Sequence, residues 1–169
     1  MLRKLVLLFI LICSTDIAYG QHDYLITEED ILGESCIYID AKNAWERRRA
    51  FTLNKTPYRW LIYDFEYWEK IVDDIRKTYI PETALQKMIE SQIQITLLFV
   101  ADYKGNMIDV SLSTKSRILP MLSKEQLIEI YQKMWTVKAR GSKQLTKDQY
   151  FRGQIFLVPR AKHNTDERK

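Results

Sequence analysis

Two hydrophobic periods alternate along the second half of the chain. Phe65, Trp68, Val72 and Ile75 recur at spacings of three and four, which predicts a helix with those side chains as its buried stripe. Asp64, Glu66 and Glu69 stand near its start and Arg76 and Lys77 near its end, in the sense the helix dipole favours. Pro81 ends that helix and opens another, whose inner side is Leu85, Met88 and Ile89. The period then falls to two. Ile93, Ile95, Leu97 and Phe99 alternate with Gln94 and Thr96, so Ile93 to Val100 is a strand, half exposed at first and then buried. Asp102 to Asn106 supply a turn in which Gly105 is free to take a positive φ. Met107 to Ser113 return as a second strand, with Ile108, Val110 and Leu112 expected inward and Asp109, Ser111 and Ser113 outward.

Past Pro120, Ser123 and Gln126 form a capping box, and Leu127, Ile128, Tyr131, Met134 and Trp135 make the stripe of a third helix. After a linker rich in Lys and Gln, Phe151 to Val158 reads as a last strand closed by Pro159. A right-handed crossover through the third helix places the first hairpin strand in the middle of the sheet and Phe151 to Val158 at an edge. The expected fold is α+β: a three-stranded sheet, hairpin plus crossover strand, packed against two or three helices. Residues 63–160 form that domain. Residues 21–62 are expected to pack on it as an extension, in which Ile37 to Ile39 reads as a short strand and Ala44 to Phe51 fits either helix or strand. The charged residues 161–169 read as a disordered tail.

The start of the chain has a different character. Arg3 and Lys4 precede an apolar run from Leu5 to Cys13, and Ala18 and Gly20 are small residues where a signal peptidase reads. Residues 1–20 are therefore expected to be a signal peptide cut before Gln21, leaving a periplasmic or extracellular protein. Ser14, Thr15 and Asp16 end the run short of the roughly 20 apolar residues a membrane span needs. Cys13 raises lipidation as an alternative, against which the bulky Ile12 before it counts. After cleavage only Cys36 remains, so no intramolecular disulfide can form, and the apolar setting of Cys36 suits an inert buried thiol better than a reactive or intermolecular one. A net charge of +4 is too small to point to nucleic acid.

Tyr79-Ile80-Pro81 with Ala84, then Phe99-Val100-Ala101-Asp102 leading to Gly105, and Asp109-Val110 in the returning strand carry a resemblance to a known family. From Tyr79 to Arg160 the chain resembles the carboxy-terminal domain of TonB and its relatives in Gram-negative envelopes, with Trp135 and the closing strand also in place. That family expects a Gly before its first strand, where this chain has Glu90-Ser91-Gln92. The resemblance implies the fold and a mode of binding in which an extended peptide from an envelope protein pairs with an exposed sheet edge. In this sequence the edge would be Phe151, Gly153, Ile155 and Leu157 with their neighbours.

Residues suited to catalysis are sparse. The only histidines, His22 and His163, lie near the ends of the mature chain, and no Cys or His spacing suits a metal, so no cofactor or metal is expected. Asp64, Glu66, Glu69, Asp73 and Asp74 among Tyr63, Tyr67 and Trp68 leave open a glycan hydrolase built on helix carboxylates, against a solvated helix start. Arg47, Arg48, Arg49 and Arg59, interleaved with Phe51, Tyr58 and Trp60, leave open a patch for anionic envelope polymers. The oligomeric state is not legible.

Overall fold

The computed structural model describes residues 24–44, 46, 58–60, 64–141, 146, 147 and 149–159. The signal-like residues 1–20, Arg47, Arg48 and Arg49, and the tail 161–169 lie outside the described residues. An N-terminal hairpin, β1 (Tyr24–Ile31) and β2 (Glu34–Ala41), is followed by a short strand, β3 (Tyr58–Trp60). Helices α1 (Phe65–Tyr79) and α2 (Glu82–Glu90) come next. The second hairpin is β4 (Thr96–Ala101) and β5 (Met107–Lys115); helix α3 (Lys124–Thr136) then crosses to β6 (Tyr150–Phe156).

The fold is α+β, but the sheet is larger than three strands. Its order is β1-β2-β5-β4-β6-β3. The first five form an antiparallel sheet, and β3 pairs in parallel with the start of β6. The expected core of hairpin plus crossover strand is there, with β4 in the middle. The two added antiparallel strands come from the presumed extension. Cys36 to Asp40 of β2 pair with Lys115 to Ser111 of β5, so the N-terminal hairpin continues the sheet. Local periodicity did not reveal this because the choice of neighbouring strand is made across more than 70 residues of chain.

The helices cover one face of the sheet. Ile37 and Ile39 of β2, Leu97 and Phe99 of β4, Val110 and Leu112 of β5, and Ile155 of β6 are buried in one cluster with Trp68, Ile75, Met88, Leu127, Ile130, Tyr131 and Met134 of the helices. Trp68 lies 5.0 Å from Phe99 in a stacked arrangement. The stripe of α1 begins at Trp68, because Phe65 is 80% exposed on the first turn, ahead of the point where the helix enters the core. On α3, Ile130 is buried and Ile128 only partly so, and the Ser123–Gln126 capping box forms as expected.

Polar contacts fix α1 at both ends. Asp64 accepts from the Tyr67 amide at 3.3 Å and pairs with Arg140 at 3.1 Å. Tyr67 Oη donates to the Lys138 carbonyl at 2.5 Å, and Trp68 Nε1 to that of Arg140 at 2.8 Å. At the other end Arg76 Nε donates to the Leu157 carbonyl at 2.9 Å, tying α1 to the end of β6. Gln94 extends the β4–β6 pairing: its amide donates to Val158 O at 2.6 Å and accepts from Val158 N at 2.8 Å.

On the opposite face the pattern departs from simple alternation. Asp109 and Ser111 were expected outward, yet they are 2% and 9% exposed. Ser111 is flanked by Asp40 of β2 and Leu98 of β4, and Asp109 lies beside Val100 of β4, just past the end of the β2 pairing. Cys36 is on this face, half-buried, with its thiol donating to the Glu34 carbonyl at 3.8 Å, so it does not belong to the core as expected.

Candidate functional site at the sheet edge

Strand β6 was expected to be the open edge; β3 lies outside its first three residues, and no described strand lies outside Gly153 to Phe156. Tyr58, Arg59 and Trp60 pair in register with Tyr150, Phe151 and Arg152. Phe151, Ile155 and Leu157 point into the core at 7%, 5% and 0% exposure, and Gly153 is buried. None of these four side chains is offered to a partner. The missing side chain at Gly153 has a packing cause, since a Cβ there would lie 2.2 Å from Cζ of Phe99.

The other candidates fare differently. Arg59 sits on β3, while Arg47, Arg48 and Arg49 lie outside the described residues. Four of the five helix carboxylates have a partner, and the fifth, Glu69, is exposed. Asp64 caps α1, Glu66 pairs with Lys70 at 2.8 Å, Asp73 with Arg76 at 2.8 Å and Asp74 with Lys133 at 3.3 Å. The Lys70 hydrogen bond and charge hold the Glu66 carboxyl below its ordinary range, the reverse of what a general acid needs. Among the described residues no cluster of His, Cys, Asp and Glu could hold a metal ion, and no helix is long and apolar enough to cross a membrane.

The longer of the sheet's two terminal strands is β1, the other being the three-residue β3. All eight residues of β1 are in register with β2, from Tyr24 opposite Ala41 to Ile31 opposite Glu34. Leu32 and Gly33 close the hairpin with φ values of 53° and 83°. Positive φ at both central positions is the type I′ turn, whose twist matches that of the flanking strands. A two-residue loop closes on a hydrogen-bonded pair, here Ile31 and Glu34, so Glu29, Thr27 and Leu25 also direct their backbone groups at β2. The N–H and C=O groups of Tyr24, Ile26, Glu28 and Asp30 therefore point away from the sheet, and no described strand lies there.

Side chains divide by parity. Tyr24, Ile26 and Glu28 face the helices. Tyr24 meets the Tyr131 ring edge-on at 5.8 Å, Ile26 packs on the core and Glu28 pairs with Lys124 at 2.5 Å. These contacts bind Tyr24 to Glu28 of β1 to α3 and the core as well as to β2. Leu25 and Ile31 lie on the other face, 60% and 41% exposed, and Leu32 at the tip is fully exposed. Glu34 is held by Lys115 at 2.6 Å, and the hydrogen bond from that lysine draws its carboxyl below the usual value against a smaller opposing desolvation.

This edge was missed in the sequence, and the signal for it is modest. Leu32-Gly33 separates Tyr24-x-Ile26 from the alternation of Ile37, Ile39 and Ala41. The acidic run Glu28-Glu29-Asp30 hides the strand pattern, because an edge strand exposed at its distal end has no reason to keep a strict apolar period. Compared with family models, with curated proteins and with solved structures, the chain matches none.

Proposed function

We propose that this protein is a binding module that recognises an extended segment of an envelope protein by adding it as a strand to the outer edge of β1. One observation carries the reading: an eight-residue terminal strand, paired with β2 over its whole length, directs the backbone groups of Tyr24, Ile26, Glu28 and Asp30 away from the sheet. Edge strands of this length are usually shortened, bulged or covered, because they template pairing with other chains. Here the strand is instead flanked by exposed Leu25, Ile31 and Leu32, which supply apolar contacts to whatever pairs there. Backbone bonds give such an interaction its affinity, and the alternating side chains give it selectivity. The signal-peptide pattern of residues 1–20 and the resemblance of Tyr79 to Arg160 to the TonB carboxy-terminal domain support an envelope setting for the partner.

The test is site-specific photo-crosslinking in envelope extract. A photoreactive residue at Leu25 should give a discrete adduct that the same residue at exposed Lys87 on α2 does not. Adding Glu28→Pro should abolish the adduct while the protein stays folded: it removes an outward N–H and one exposed ion pair worth less than about 1 kcal/mol. Equal adducts from both positions, or an adduct indifferent to the proline, refute edge pairing.

A further inference from the structure

Four acidic side chains surround the distal half of β1, and they are not equivalent. Glu28 is neutralised by Lys124 and Glu34 by Lys115, both within ordinary ion-pair distance. Glu29 and Asp30 have no ion pair among the described residues. Because they are adjacent on a strand, they stand on opposite faces of the sheet. Glu29 shares its face with Leu25 and Ile31; Asp30 shares the other with Glu28. The edge therefore carries uncompensated negative charge above and below the line on which a new strand would lie.

We infer that the partner strand at β1 carries two consecutive basic residues, one set against Glu29 and one against Asp30, with apolar residues set against Ile31 and Leu25. This rests on the edge-pairing reading above and adds the chemistry of the occupant. In an antiparallel approach, the residue after the one opposite Ile31 meets Asp30, the next meets Glu29, and the residue four further on meets Leu25. The recognised pattern is thus apolar, basic, basic, three positions of any kind, apolar. A single basic residue leaves one face of the edge unmatched, and an alternating basic strand places both charges on one face. Charge also argues against a second copy of this chain as the occupant. Strand β1 contains no Lys or Arg, so a β1–β1 pairing leaves Glu29 and Asp30 of both copies unmatched.

The experiment is a titration of the 15N-labelled protein with three nine-residue peptides, capped at both ends, followed through backbone amide shifts. The first is Thr-Val-Lys-Lys-Thr-Gln-Thr-Val-Thr; the second has Glu-Glu in place of Lys-Lys; the third has the two valines replaced by Ser. The first should shift the amides of Tyr24 to Ile31 and bind roughly tenfold more tightly than the second, as expected when two cross-strand pairs change from attractive to repulsive. It should also outbind the third, and its advantage over the second should shrink as salt rises. The double substitution E29K/D30K should reverse the preference between the first two peptides. Equal binding of the Lys-Lys and Glu-Glu peptides along 24–31 overturns the basic pattern and leaves edge pairing standing. No shift along 24–31 with any of the three overturns both. Concentration-dependent broadening of these amides in the protein alone, with a dimer in sedimentation, assigns the edge to a second copy and overturns the inference.

Discussion

Replacing Gly153 by Ala tests whether this position is fixed by packing or kept small for a partner. A Cβ at Gly153 would stand 2.2, 2.7 and 2.8 Å from three ring carbons of Phe99, its cross-strand partner. Comfortable carbon contacts are near 3.5–4.0 Å, so something must move by about 1 Å. The ring has little room, because Phe99 is 2% exposed and is stacked at 5.0 Å on Trp68. The β6 backbone is held too, by β4 along its length and by β3 over Tyr150 to Arg152. Overpacking of this kind costs about 1–3 kcal/mol, and with both sides pinned the expected loss is near the upper end. For a chain of this size that lowers Tm by roughly 6–12 °C, at about 2–4 °C per kcal/mol. Thermal and urea unfolding of Gly153→Ala, Phe99→Leu and the double variant measure it, with far-UV circular dichroism as the signal. Phe99→Leu alone is destabilising, but it removes ring atoms the new methyl would strike. The double variant should therefore be more stable than additivity predicts by at least about 1 kcal/mol. A Gly153→Ala loss below about 0.5 kcal/mol with additive behaviour in the cycle would refute the packing account.

Two further outcomes are expected. Leu32→Asn should stabilise the fold by about 1 kcal/mol, because an apolar L-residue such as Leu at φ 53° carries a cost that Asn largely avoids in a type I′ turn; an unchanged or lower urea midpoint would contradict it. Asp102 makes stability depend on pH at the acid end. Partial burial opposes its charge, but hydrogen bonds from the Asn106 side chain and from the Asn106 and Lys104 amides, with the Lys138 charge, hold its carboxyl below the ordinary value. A carboxyl whose folded pKa is depressed contributes stability fully present above its unfolded value, near 3.8, and lost as pH falls through the folded pKa. Unfolding curves should therefore show Asp102→Asn less stable than the parent at neutral pH, with the gap closing below about pH 4; a gap independent of pH counts against this.

The elements that the sequence made legible are those whose burial is recorded locally. Trp68 and Ile75, Leu85 and Met88, and Leu127, Tyr131 and Met134 mark helices because each face looks at one sheet. Ile93 to Phe99 and Val110 to Leu112 mark a hairpin, and Gly105 takes the positive φ expected of it, at 82°. The order β5-β4-β6 is also the one expected once the last helix is taken to join parallel strands by a right-handed crossover. What tertiary structure decided was which strands become neighbours and therefore which edge is left. The Tyr24 to Ala41 hairpin joins β5, and Tyr58 to Trp60 covers the start of β6. Both pairings consist of backbone hydrogen bonds, which carry no side-chain signature, between segments far apart in the chain. Side-chain alternation reports the face a residue buries, whereas an edge is defined by the absence of a neighbour, and only the assembled sheet shows that β1 is one of its two outer strands.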